Sequence, residues 1–174
     1  MTKIVAIVKM VPDLVEELEI NEAGTGLDRD WLRLIINEFD NHAIEQAILL
    51  KERDSGEVTV IAPDAEGVED MLFTTAAKGA DRMIKLAGDL EEGANNHALA
   101  RAFAEAAKPY QPDLILTGVQ ANDDLDGPVG PLVAEYLGMP YVGYISGVTI
   151  EGNKAIVRKE YPGGLIGEME VTLP

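Results

Sequence analysis

Apolar and polar positions along this chain switch repeatedly between two periods. Short apolar runs at Ile4–Val8, Val58–Ala62, Met83–Leu86 and Leu114–Thr117 read as strands, while the segments near residues 40–53, 65–78, 94–107 and 128–137 carry a helical repeat. The last is the clearest: Val129, Leu132, Val133, Tyr136 and Leu137 recur at i, i+3, i+4, i+7 and i+8, and Gly138 supplies the stop. Strands alternating with helices predict the α/β class, with right-handed crossovers and a doubly wound, mainly parallel Rossmann-like sheet. From Tyr141 the helical period disappears. Val142–Ile150, Lys154–Glu160 and Leu165–Leu173 read as strands joined by Glu151-Gly152-Asn153-Lys154 and Pro162-Gly163-Gly164, which predicts a C-terminal antiparallel meander over about residues 141–174. Residues 10–36 form an insertion after the first strand, in which Val15, Leu18, Ile20 and the Gly24-Thr25-Gly26 turn suggest a hairpin packed down by Trp31-Leu32.

The helices have recognisable starts and stops. Asp40 or Asn37 is placed to cap the first, Asp64 the second and Asn95 or Asn96 the third, with Pro128 in the first turn of the fourth. Gly79 ends the second helix, and Pro109 with Pro112 closes the third. The most suggestive segment is the loop from Gly118 to Pro131, which joins a buried strand to an amphipathic helix. In α/β sheets that junction holds nucleotides, because helix-start N–H groups attract anions and glycines admit a ligand close to the backbone. A tight β-to-α turn with no ligand explains the same residues.

Composition narrows the function. The 174 residues suit a single domain spanning 1–174, and 47% hydrophobic content suits a water-soluble core. A formal charge of −17 repels phosphate backbones and anionic lipid, so no nucleic-acid partner and no membrane insertion are expected. With no cysteine there is no disulfide, thiol nucleophile or iron–sulfur ligand, and a cytoplasmic location fits. His42 and His97 lie far apart in helical segments, and no nucleophile–His pair, paired acid and base or metal-ligand spacing appears. Asp123, Asp124 and Asp126 have the chemistry to bind Mg²⁺, or simply form a solvated turn. Arg82 has Asp81 or a neighbouring acid as a surface partner.

Seven collinear motifs cover the whole chain. They are Ile7-Val8-Lys9-Met10-Val11-Pro12-Asp13; Asn37-Glu38-Phe39-Asp40 followed by Ala43-Ile44-Glu45-Gln46-Ala47 and Leu50-Lys51-Glu52; Gly79-Ala80-Asp81-Arg82; Pro112-Asp113-Leu114-Ile115-Leu116-Thr117-Gly118; Gln120-Ala121 with Asp123; Val129-Gly130-Pro131; and the closing strand Glu168–Pro174. Together they resemble the β subunit of electron transfer flavoprotein, a family that includes the nitrogen-fixation FixA proteins. The resemblance implies an adenine nucleotide α-hydrolase-like sheet and an α-subunit partner that holds most of the redox FAD. It also implies a heterodimer that carries electrons from flavin dehydrogenases to an acceptor, without catalytic side chains in this chain.

By the same resemblance this chain binds AMP, or a second FAD in the electron-bifurcating branch. The implied contacts are Ile7, the turn Asn37, Glu38, Phe39 and Asp40, Pro63 after the second strand, and Gln120, Ala121, Asn122, Asp123, Asp126, Gly127, Val129 and Gly130 in the loop. Phe39 corresponds to a position aimed at the α-subunit flavin, although burial alone accounts for an aromatic residue there equally well.

Two departures change the expectation. The family loop usually carries a Thr and a Gln where Asp126 and Pro128 stand, so two neutral hydrogen-bonding groups give way to a carboxylate and a ring without N–H. Weak phosphate binding follows unless a metal or a lysine compensates. The family also continues past Leu-Pro into a further strand and an arm embracing the α subunit. A chain ending there, as a fragment or a short relative, is expected to expose apolar surface beside the meander and to self-associate. The rival readings are an adenine-nucleotide hydrolase or ligase, for which Lys9-Met10-Val11-Pro12-Asp13 stands where a phosphate loop is needed, and a regulatory adenine-nucleotide module resembling the universal stress proteins.

Overall fold

The computed structural model describes residues 1–88, 90 and 94–174. Among the described residues, the strands are β1 (Lys3–Ile7), β2 (Met10–Pro12), β3 (Leu34–Ile36), β4 (Glu57–Pro63), β5 (Arg82–Leu86), β6 (Leu114–Thr117), β7 (Gly147–Glu151), β8 (Lys154–Tyr161) and β9 (Leu165–Thr172). The helices are α1 (Glu38–Asp54), α2 (Val68–Lys78), α3 (Asn96–Ala107) and α4 (Val129–Leu137).

The main sheet has the order β5-β4-β1-β6, all parallel, with Ile4 opposite Val58 on one side and Leu114 on the other. Side chains of β1 alternate between two cores, as a buried strand requires. Ile4, Ala6 and Val8 pack with Ile44, Ala47, Leu50, Val60 and Val68 beneath α1 and α2, and Val5 and Ile7 pack with Ile61, Ala100, Phe103 and Val133 beneath α3 and α4. The sheet is therefore covered on both faces and doubly wound, as the periodicity predicts. Its strand order reverses between β1 and β6, and a crevice opens outside the carboxyl ends of strands at such a reversal.

The meander β7-β8-β9 is antiparallel and contributes Val148, Ala155 and Val157 to the core on the α1 side. Its first strand begins at Gly147 rather than Val142, because Pro140, Gly143 and a left-handed Tyr144 (φ 55°) keep the preceding segment out of a ladder. Leu165, Ile166 and Met169 on β9 are exposed, as is Tyr144.

In the insertion, β2 and β3 pair antiparallel at the base and a single bridge joins Ile20 to Leu27. Leu32 is buried, but Trp31 is 94% exposed and packs nothing down. Two of the expected caps are also absent. Asp64 precedes α2 too early, and a left-handed Gly67 (φ 75°) occupies the N-cap instead. Asn37 stands at the N-cap of α1 and Asp40 within its first turn, yet the Asn37 side chain makes no cap bond and both side chains are used elsewhere. Asn95 does cap α3, its Oδ1 accepting from the Ala98 N–H at 2.9 Å, and a left-handed Gly138 closes α4.

Candidate functional site

The crevice at the β1/β6 reversal is built around one buried carboxylate. Asp40 Oδ2 accepts the backbone N–H of Lys9 just past β1, and Oδ1 accepts that of Gly118 just past β6, each at 2.9 Å. Both strand ends are thus fixed to the first turn of α1. Asn37, also buried, completes the frame: its backbone N–H donates to the Lys9 carbonyl at 3.0 Å and its side-chain Nδ2 to the Gln120 carbonyl at 2.9 Å. These bonds explain why a local reading of the two residues as helix caps fails; their partners lie up to 83 positions away.

Burial raises the Asp40 carboxyl from 3.8 to about 6, opposed by the N–H groups of Lys9 and Gly118, the Asn37 side chain and the Lys9 charge. Gly118 is required by this packing, since a Cβ there would run into Asp40 Oδ1 and stand 3.0 Å from Phe39 Cβ. Gly127 adopts φ +57°, and a Cβ would meet the Val119 carbonyl. These two glycines are thus used by the chain's own packing before any ligand is considered.

The loop from Val119 closes over the crevice. Ala121 and Asp124 exchange backbone hydrogen bonds at 3.1 and 3.0 Å in a tight turn, and Lys9 Nζ reaches Asp123 Oδ1 at 2.7 Å. Beneath lies a cavity of about 40 Å³. Leu99 and Phe103 of α3 wall it, and Gly130 and Val129 bring the start of α4 to it. At that helix start Pro128 and Pro131 carry no N–H and Leu132 bonds to the Pro128 carbonyl, leaving Val129 and Gly130 as the helix-start donors without a partner among the described residues.

Of the residues expected at a nucleotide site, Ile7, Asn37, Asp40, Gln120, Ala121, Gly127, Val129 and Gly130 line this cavity. Glu38, Asn122, Asp123 and Asp126 are exposed around it, and Pro63 is buried at the end of β4. Phe39 is 42% exposed, so core packing does not account for it, and it lines a different feature, a groove of about 670 Å³ along β6 bounded by Tyr141 and the meander. Lys9 and Thr117 line the crevice without having been expected there, and Asp124 lines it from within the loop expected to hold the nucleotide. The signal for Lys9 was available, since a lysine directly after a first strand faces the carboxyl edge where ligands collect.

Other candidate groups stay outside the crevice. Among the described residues no group of three or more His, Asp or Glu is arranged to hold a metal ion. His42 is exposed, and so is His97, whose Nδ1 lies 3.5 Å from Tyr136 Oη. Asp81 pairs with Lys51 at 2.6 Å, while Arg82 pairs with Glu57 and lies over the Tyr110 ring. Among the described residues no helix is long and apolar enough to cross a membrane.

The family model for the electron transfer flavoprotein domain matches residues 26–174. The chain is similar to the electron transfer flavoprotein subunit beta of Methylophilus methylotrophus, with 33% identity covering 99% of this chain and 67% of the relative. Against the protein of the same name from Syntrophomonas wolfei the identity is 39%, with coverage of 99% and 67%. For that of Thermoanaerobacterium thermosaccharolyticum it is 37%, covering 92% of this chain and 62% of the relative. The chain thus spans about two thirds of the length of these relatives.

Proposed function

Because this chain belongs to the electron transfer flavoprotein family, on its β-subunit side, we propose that it is the nucleotide-holding half of a flavin heterodimer, paired with an α subunit that carries most of the redox FAD. The observation that carries the proposal is the crevice itself. The motif residues that resemble the family's nucleotide contacts gather at the strand-order reversal of a doubly wound sheet, where such folds bind ligands.

The residues around the crevice include the donors an AMP phosphate requires, the Lys9 ammonium group and the helix-start amides of Val129 and Gly130, and Leu99 and Phe103 offer an apolar wall. The volume does not fit as it stands. Small-molecule pockets run to about 300 Å³ or more, so the 119–127 loop must lift before a nucleotide enters a cavity of about 40 Å³. Asp123, Asp124 and Asp126 oppose a phosphate, which keeps AMP affinity low.

In the assembled protein the flavin supplies the electron step, and this chain supplies position and electrostatics. The exposed Phe39, beside the groove along β6, is the residue proposed to face that flavin. Dehydrogenases and the electron acceptor are met by the heterodimer rather than through catalytic side chains here.

An absorption spectrum and a titration test the proposal. The purified chain is expected to be colourless and to bind AMP weakly at the crevice, with amide shifts at Lys9, Gly118 and Val129. Flavin bands near one equivalent in the isolated chain would overturn the assignment of the redox FAD to the partner. AMP shifts confined to other residues would overturn the site.

A further inference from the structure

We propose that Lys9 selects the phosphate at this crevice, and that Asp123 occupies its ammonium group until a phosphate displaces it. The inference rests on the nucleotide reading above and assigns a phosphate-recognition role to a residue outside the expected contacts.

Lys9 is the one Lys or Arg among the described residues lining the crevice. Its backbone is held on both sides, the N–H by Asp40 at 2.9 Å and the carbonyl by Asn37 at 3.0 Å, so only the four-carbon stem is free to redirect the charge. That charge is already engaged, since Nζ lies 2.7 Å from Asp123 Oδ1. The Asp123 side chain is 42% exposed, and partly exposed lysine–carboxylate pairs of this kind are individually weak. A phosphate monoester brings more charge and three acceptor oxygens, which favours exchange.

The exchange also opens the loop. Asp123 sits between Ala121 and Asp124, the residues that exchange backbone bonds to form the turn over the cavity. Once Lys9 turns to the phosphate, Asp123 loses its partner and is repelled by the incoming anion, driving the turn outward from a cavity too small for a nucleotide. Recognition of the phosphate and admission of the nucleoside are then one event. Adenosine, lacking the phosphate, has no means of releasing Asp123.

The test is a titration of the purified protein with AMP and with adenosine, followed by amide chemical shifts, for wild type, Lys9→Met, Lys9→Arg and Asp123→Asn. Circular dichroism melts accompany each variant. Wild type is expected to prefer AMP over adenosine, and Lys9→Met to weaken AMP at least tenfold without weakening adenosine, since it removes the phosphate contact and the Asp123 latch together; a merely structural role would weaken both. Lys9→Arg is expected to retain the preference, and Asp123→Asn to tighten AMP at least threefold more than adenosine. An unchanged AMP-to-adenosine ratio in Lys9→Met overturns the role of Lys9 and leaves the nucleotide site standing. Should Lys9→Met fail to fold, an unchanged ratio in Asp123→Asn overturns the exchange by itself. Absence of AMP and adenosine binding in all four proteins overturns both the exchange and the nucleotide reading.

Discussion

Replacing Asp40 by Asn should leave a signature in the pH dependence of stability. In the folded chain burial lifts this carboxyl from 3.8 to about 6, so between those values the native state holds a proton that the unfolded state releases. The stability contributed by the group is fully present below about pH 4 and is lost as pH rises through 6. A displacement of about two pH units corresponds to roughly 3 kcal/mol, on the order of 6–12 °C in Tm for a chain of this size. The Asn variant has no such titration. At every pH it also sets one NH₂ group against the backbone N–H of Lys9 or Gly118, costing about 1–3 kcal/mol. The difference in stability between wild type and Asp40→Asn is therefore largest near pH 4 and narrows by about 3 kcal/mol towards pH 7. Other carboxylates titrate in both proteins and cancel in the difference. Urea melts across this range measure it, and a gap that stays constant from pH 4 to 7 would refute the picture of a carboxylate held out of water at the strand ends.

Three further outcomes are expected. Gly127→Ala should destabilise the chain by at least about 2 kcal/mol in a denaturant melt, because it adds a Cβ to a left-handed residue facing the Val119 carbonyl. Asp126→Thr with Pro128→Gln should strengthen AMP binding by about 1–3 kcal/mol in calorimetry, since one charge is removed and an N–H is restored at the start of α4; micromolar AMP binding by the wild type without added metal would contradict the account of the acidic loop. Light scattering should show self-association at high concentration, driven by exposed Leu165, Ile166 and Met169 on the edge strand β9; a clean monomer would count against it.

The parallel sheet and its helices were legible because each rests on a periodic pattern that persists over several residues. β1, β4, β5 and β6 are short apolar runs, and Asn95 and Gly138 end their helices through purely local bonds. What stayed hidden depends on distant partners. Asn37 and Asp40 have the composition of caps, but Gln120, Lys9 and Gly118 claim their side chains. Trp31 has the composition of a core residue, yet among the described residues no element comes over it. Of the candidate site, the loop and strand ends were visible as motifs, whereas Lys9 appeared only as part of the first strand's ending. Its role follows from the fold bringing Asp123, 114 positions on, to within 2.7 Å.

The Asp40 clasp bears on how the chain folds. Its two bonds span 31 and 78 positions; the first needs only β1 and α1 together, and the clasp is complete only when β6 has joined them, by which point the entropy of joining such distant segments has been spent. The closed clasp is consequently expected late in assembly, after β6 has docked beside β1. Once it has formed, the amides of Lys9 and Gly118 are each bonded to the buried Asp40 carboxylate, and slowed hydrogen exchange is expected at both. A change in the exchange of one amide without the other then reports which strand end has parted from α1, so the two amides read the two halves of the clasp separately.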